Sequence, residues 1–116
     1  MRVLVCGSRN WTDYGVIERR MKMLPPWTVI IEGEARGVDR AARLIAKHFG
    51  LEVKPFPAKW KKYGKAAGPI RNQQMLDEGK PDLVLAYPMP DSVGTKDMIA
   101  RAKKAEIPVE VVMGIV

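Results

Sequence analysis

The feature that most constrains this chain is the stretch from Val29 to Gly50, which reads strand, glycine turn, helix. Val29-Ile30-Ile31 is a short β-branched apolar run of the kind a buried strand needs. From Val38, apolar residues recur at Ala41, Ala42, Ile45, Ala46 and Phe49, offsets of 3, 4, 7, 8 and 11. That is the stripe of an amphipathic helix, and Gly50 stands where such a helix should stop. Between strand and helix lies Gly33-Glu34-Ala35-Arg36-Gly37. Two glycines permit positive φ and a close backbone approach. The amides opening the next helix, with the positive end of its dipole, suit an anion. The pattern predicts an anion-holding strand–turn–helix, and the rest of the chain is read for convergence on the same place.

Taken in order, Arg2 to Cys6 reads as a first buried strand ending in Gly7-Ser8-Arg9-Asn10. Val16, Ile17, Met21 and Leu24 give helical spacing, with Thr12 or Asp13 as N-cap and Pro25-Pro26 as the stop. Leu51 to Lys54 reads as a short third strand, and Pro55 and Pro57 place it at an edge. Phe56 to Gly68 is the longest stretch without a clear period, carrying Trp60 and Tyr63 among lysines. Pro69 suits the first position of a helix running to about Glu78, with Gly79 ending it. Leu83 to Ala86 is a fourth buried strand. Thr95 is the expected cap of a helix with Met98, Ile99, Ala102 and Ala105 on its apolar face, and Val109 to Met113 is the last strand. Strands alternating with helices imply a parallel sheet covered on both faces. The expected fold class is α/β: one Rossmann-like doubly wound domain over residues 1–116, with five mainly parallel strands and helices on both faces. Ligands in such folds bind outside the carboxyl ends of the strands, where strand order reverses.

Charge points to the partner. The net charge is +7, with 20 Lys plus Arg against 13 Asp plus Glu, which favours anionic ligands. From Val53 to Leu76 there is no acidic residue, while Lys54, Lys59, Lys61, Lys62, Lys65 and Arg71 all fall there. No apolar run approaches the roughly 18 residues of a membrane helix, and the one cysteine, Cys6, has no disulfide partner. These point to a cytoplasmic setting without a membrane partner. One cysteine and one histidine build no metal site, and neither a Gly-x-Gly-x-x-Gly fingerprint nor a P-loop is present, so no metal and no cofactor are expected. His48, inside the central helix, reads as structural, and Cys6 as a small buried hydrophobe.

The candidate ligand-binding residues cluster at the expected turns. Gly7, Ser8 and Arg9 offer close backbone, a hydroxyl and a guanidinium for a phosphate or ribose. Gly33, Arg36, Gly37 and Asp39 belong to the central turn, where Asp39 has a simple dipole role as the alternative. Glu34 suits ribose hydroxyls or a general base, or else an ion pair with Arg36. Arg71 and Asn72 fall in the first turn of a helix facing the crevice, and Gly94 with Thr95 supplies further amides and a hydroxyl. Trp60 and Tyr63 are candidates for stacking on a base, with Trp11 as a weaker one.

In this order, Gly7-Ser8-Arg9, Gly33-x-Ala-Arg-Gly-Val-Asp39, Phe56-Pro-Ala-x-Trp60, Gly64-Lys-Ala-Ala-Gly-Pro-x-Arg-Asn72 and Gly94-Thr95 resemble the SLOG superfamily. The nearest branch is similar to the small YspA-type domain of bacteria and phages. The resemblance implies a Rossmann-like fold and a pocket for a nucleotide or nucleotide-derived ligand. Lonely-guy enzymes of this superfamily hydrolyse the N-glycosidic bond of nucleoside monophosphates, DNA-processing protein A binds single-stranded DNA, and other members sense nucleotide messengers. By analogy with the related enzymes, a homodimer is implied. Lonely-guy enzymes carry Pro-Gly-Gly-x-Gly-Thr-x-x-Glu, whereas this chain has Pro90-Asp-Ser-Val-Gly-Thr-Lys-Asp-Met98, with methionine in the glutamate's place. The expectation is a nucleotide binder. The enzyme alternative is a phosphoribohydrolase using Glu34 or Asp39, and the third is a nucleic-acid-binding module using the lysine stretch with Trp60 and Tyr63.

Overall fold

Successive side chains of a strand point to opposite faces, and here both faces are apolar. Val3, Val5, Ile30, Leu83 and Leu85 lie in one core; Leu4, Cys6, Ile31, Val84 and Ala86 lie in another. Runs apolar on both sides are satisfied only inside a layered structure. Accordingly β1 (Arg2–Gly7) and β2 (Val29–Glu32) sit inside the sheet and β3 (Glu52–Pro55) at one edge, while β4 (Leu83–Tyr87) is again interior and β5 (Val109–Val111) forms the other edge. The structure is a computed structural model and describes residues 1–114.

Two helices cover each face. On the first, α1 (Tyr14–Met21) contributes Ile17 and Met21, and α2 (Val38–His48) contributes Val38, Ala41, Ala42 and Ala46. The short α3 (Trp60–Tyr63) leads through a 3-10 turn into α4 (Ala67–Gly79), which sets Met75 and Leu76 against the second face. Beside it α5 (Val93–Lys104) adds Met98 and Ala102. The strand order is β3-β2-β1-β4-β5, and every pairing is parallel. The chain winds from β1 out to β3, then returns past β1 to lay β4 on its other side. Strand order therefore reverses between β1 and β4, and the crevice of a doubly wound sheet opens at their carboxyl ends.

Several details depart from the sequence pattern. α1 ends at Met21, and Leu24 reaches the core from the following turn. The stretch from Phe56 to Gly68, expected to be irregular, holds α3, the 3-10 turn and the start of α4, so Pro69 is the third residue of its helix. Its missing N–H still falls among those with no partner inside the helix. α5 is capped at Ser92, not Thr95; Thr95 lies buried within the first turn. The last strand stops at Val111, short of Met113. His48 is exposed at the last residue of α2, with its ring 5.3 Å from Phe49, so it plays no part in the core.

One contact locks the two halves of the first face together. The Val38 N–H donates to the Ser8 carbonyl at 3.3 Å, joining the turn after β1 to the first residue of α2. Gly37 makes this approach possible. Its φ is 75°, and a Cβ there would overlap the Ser8 carbonyl oxygen and stand 2.8 Å from Arg9 Cα. Gly37→Ala is expected to lower stability by roughly 2–4 kcal/mol through backbone strain and displacement of the Ser8 turn. Urea denaturation measures it, and an unchanged midpoint would show that the two turns need not touch.

Candidate functional site

The turns after β1 and β4 and the N-terminal ends of α4 and α5 enclose a crevice of about 470 Å³, a size suited to a small ligand. Cys6, Met75 and Met98 line its buried apolar side, and Ser8, Arg9, Lys65, Arg71 and Asp39 its polar walls. Burial holds the Cys6 thiol well above its ordinary value, reinforced by the charge of Asp39, so it is a neutral surface rather than a nucleophile.

Arg71 is held in place from two sides. Its Nη1 donates to the Gly33 carbonyl at 2.5 Å and its Nε to Asn72 Oδ1 at 3.1 Å. Asn72 is buried, and its Nδ2 donates to the Gly94 carbonyl at 3.2 Å and to Asp97 Oδ2 at 3.0 Å. The same Asp97 oxygen accepts from Arg101 Nε at 2.8 Å. Both donors and the acceptor of the Asn72 amide are thus occupied by protein. Asn72 orients Arg71 and ties α4 to α5, while the remaining guanidinium N–H groups of Arg71 are left for the crevice. Gly33 has no Cβ for a reason: one there would lie 2.5 Å from Arg71 Nη1.

The central turn uses its own amides. Asp39 Oδ2 accepts from Gly33 N at 3.1 Å and Ala35 N at 3.3 Å, while the Glu34 N–H goes to the Glu32 carboxylate at 3.0 Å. With Val38 N–H on the Ser8 carbonyl, the amides of Gly33, Glu34, Ala35 and Val38, four of the donors assigned to an anion from the sequence, are engaged by the chain itself. At α5 the situation differs. Among the described residues no acceptor is found for the N–H groups of Val93, Gly94 or Thr95, and all three residues line the crevice.

Of the residues singled out from the sequence, Gly7, Ser8, Arg9, Asp39, Arg71, Asn72, Gly94, Thr95 and Trp60 line this crevice. Gly33 and Gly37 shape it from behind, through Arg71 and Ser8. Arg36 is exposed and does not line it. Glu34, at φ 57°, turns to Arg43 at 3.7 Å rather than to Arg36. Trp60 stands at the crevice with the Arg9 guanidinium 5.9 Å from its ring centre, within cation–π range. Tyr63 lines a second, neighbouring groove. Trp11 is buried edge-on against Tyr87, ring centres 5.5 Å apart, and offers no stacking face. Among the described residues no cluster of His, Cys, Asp and Glu could hold a metal ion, and no helix is long and apolar enough to cross a membrane.

Comparison with known proteins agrees with this architecture. A family profile described as the YspA, cpYpsA-related SLOG family matches residues 1–63. The chain is 38% identical over 117 residues to the Gene 61 protein of Mycobacterium phage D29, covering 93% of each. The chain belongs to the YspA, cpYpsA-related SLOG family. The crystal structure of DNA processing protein A (DprA) from Streptococcus pneumoniae is similar in fold, with a TM-score of 0.62 at 18% identity. That likeness covers 94% of this chain and 58% of the DprA chain.

In this SLOG-family chain two features escaped the sequence, one in the crevice and one behind it. Lys65 reaches the crevice because the 3-10 turn carries it there, and no pattern marked that turn. Glu32, the last residue of β2, is fully buried. Its position continues the alternation through Ile30, and a charged residue at that register is the signal that was available. Burial pushes its carboxyl up to about 7; the Glu34 N–H opposes this and the charge of Asp39 adds to it. Burial likewise pushes Asp39 up to about 6 against the pull of Arg71. Both acids hold protons more tightly folded than unfolded. Their contribution to stability is therefore complete below their ordinary carboxyl range and is lost as pH rises through about 6 to 7. Glu32→Gln should remove the larger part of that slope. At pH 8 the variant is expected to be more stable than wild type by on the order of 3 kcal/mol, with the gap closing by pH 4.5. Urea midpoints across that range test it, and a gap that widens on acidification would contradict the assignment.

Proposed function

We propose that this protein binds a nucleotide, or a phosphorylated molecule derived from one, in the crevice at the carboxyl ends of β1 and β4. The observation that carries this is the fixed guanidinium of Arg71, held by Gly33 and Asn72, facing a crevice that also contains the free amides opening α5. A guanidinium whose orientation is already set loses little entropy on gripping a planar or tetrahedral oxyanion. Arg9, Lys65 and Arg71 form the cationic side and take the phosphate. Asp91 lines the α5 side, and its charge keeps the phosphate from lying deep against it. The ribose lies over Cys6, Met75 and Met98, with Asp39 available to its hydroxyls, and Trp60 takes the base.

Binding rather than hydrolysis is favoured. Met98 occupies the position of the glutamate in the related hydrolases and is buried in an apolar cluster with Met75. Thioethers neither move protons nor stabilise an oxocarbenium-like centre. Of the two acids considered for that work, Glu34 faces Arg43 and only Asp39 lines the crevice. The role is sensing, sequestering or handing on such a nucleotide.

A thermal-shift screen against mono-, di- and cyclic nucleotides, NAD and ADP-ribose tests this. At a concentration about 100-fold above Kd, a true ligand adds about 2.7 kcal/mol and raises Tm by roughly 10 °C in a domain of this size. Arg71→Ala should melt cooperatively and lose the rise. If no nucleotide raises the wild-type Tm, the proposal fails, and release of free base from a nucleoside monophosphate would replace it with the hydrolase.

A further inference from the structure

Beside the crevice lies a second depression of about 250 Å³, lined by Pro57, Lys59, Tyr63, Ile70, Arg71 and Gln74 among others. It falls short of the ~300 Å³ at which independent ligand pockets begin, so it suits one part of a ligand and not a whole one. Arg71 lines both depressions. α3 supplies an aromatic ring to each: Trp60 to the crevice and Tyr63, one helical turn later, to the groove. Residues at that spacing sit on the same side of a helix with Cβ atoms about 5–6 Å apart. The groove also offers the surface of Ile70, 42% exposed, and the half-buried amide of Gln74. A ring to stack on, an apolar wall and a group that both donates and accepts are what a nucleobase needs.

We infer that the groove is a second base subsite, and that the full ligand is two nucleosides joined through phosphate, with Arg71 at the junction between a base on Trp60 and a base on Tyr63. This rests on the nucleotide reading of the crevice and extends it. The stretch from Val53 to Leu76, free of acidic residues, runs past this groove, whose one carboxylate among the described residues is that of Glu78 at its α4 side. Lys59 lines the groove, and Lys61 and Lys62 are exposed on α3. The same chemistry occurs in a free dinucleotide and in two successive units of a single strand.

Isothermal titration calorimetry separates the cases, using the 5′-monophosphates of adenosine, guanosine, cytidine and uridine and the four matching symmetrical dinucleoside diphosphates. For the base that binds, the dinucleoside is expected to bind about 10-fold or more tightly than the mononucleotide. Tyr63→Ala should erase that gain and leave mononucleotide affinity within about twofold, whereas Trp60→Ala should weaken both. Tyr63 is 38% exposed and Trp60 48%, so both variants are expected to fold, which their melting curves check. Phosphodiester-joined dinucleotides and ten-residue oligonucleotides form the second arm. A Tyr63-dependent gain there that grows with length assigns the strand; a gain confined to the diphosphates assigns the free dinucleotide. If mononucleotides bind and neither joined form binds more tightly, or Tyr63→Ala costs every ligand equally, the second subsite is refuted while the crevice stands. If nothing binds to wild type, both proposals fall.

Discussion

The crevice depends on one close approach: the Ser8 carbonyl accepting the Val38 N–H across the hydrogen atom that serves Gly37 as a side chain. Ser8 N in turn donates to the Tyr87 carbonyl at 3.0 Å. The first turn is thus tied to α2 on one side and to the end of β4 on the other. Those ties sit at the place where strand order reverses. A parallel sheet covered on both faces would form without them, but its first turn would be free to wander across the mouth of the crevice. Arg9, next in the chain, owes its position beside Trp60 to the same turn.

The central turn shows why a helix N-terminus is not automatically a ligand site. The amides of Gly33, Glu34 and Ala35 are satisfied internally, by Asp39 and Glu32, and both acids are buried enough to raise their pKa values. The turn's contribution to the crevice is indirect. It presents the Gly33 carbonyl to Arg71, and the absence of a Cβ lets the guanidinium come close. Charge is then delivered to the crevice by a side chain from α4, braced by Asn72 and, beyond it, by Asp97 and Arg101. A helix dipole would offer a diffuse half charge; this arrangement offers a full one with defined donor directions.

Period and punctuation made most of the fold legible. Apolar runs with β-branched residues marked the strands, the Val38-to-Phe49 stripe marked α2, and Asp13 was readable as the cap of α1, accepting from Val16 N at 3.4 Å. What failed to show in the sequence depended on contacts rather than on local pattern. Ser92 takes the N-cap position of α5 because its hydroxyl accepts from Met89 N at 2.9 Å, fixing the turn before the helix, so Thr95 already falls inside the first turn. α3 is only four residues long and has no buried residue, hence no apolar stripe to betray it. Arg71 and Asn72 were visible as a polar pair on a helix that should have an apolar face. Their division of labour was not, because it needs Gly33 from the turn after β2 and Gly94 and Asp97 from α5 brought together.

That division bears on the kind of partner the site suits. Arg71 is partly buried and its geometry is fixed, so its attraction for an anion is screened only weakly by salt. Lys59, Lys61 and Lys62 are exposed on flexible stems, where screening at physiological ionic strength leaves little beyond about 8 Å. One anchor is directional and short-ranged; the other is diffuse and raises the local concentration of any polyanion. A small phosphorylated ligand needs mainly the first, and a nucleic-acid strand gains from both. α3 stands between them, with one aromatic ring turned to each depression, Lys61 exposed and the Lys62 ammonium 5.1 Å from the Tyr63 ring centre, so the same four residues decide how far beyond the crevice a bound ligand can extend.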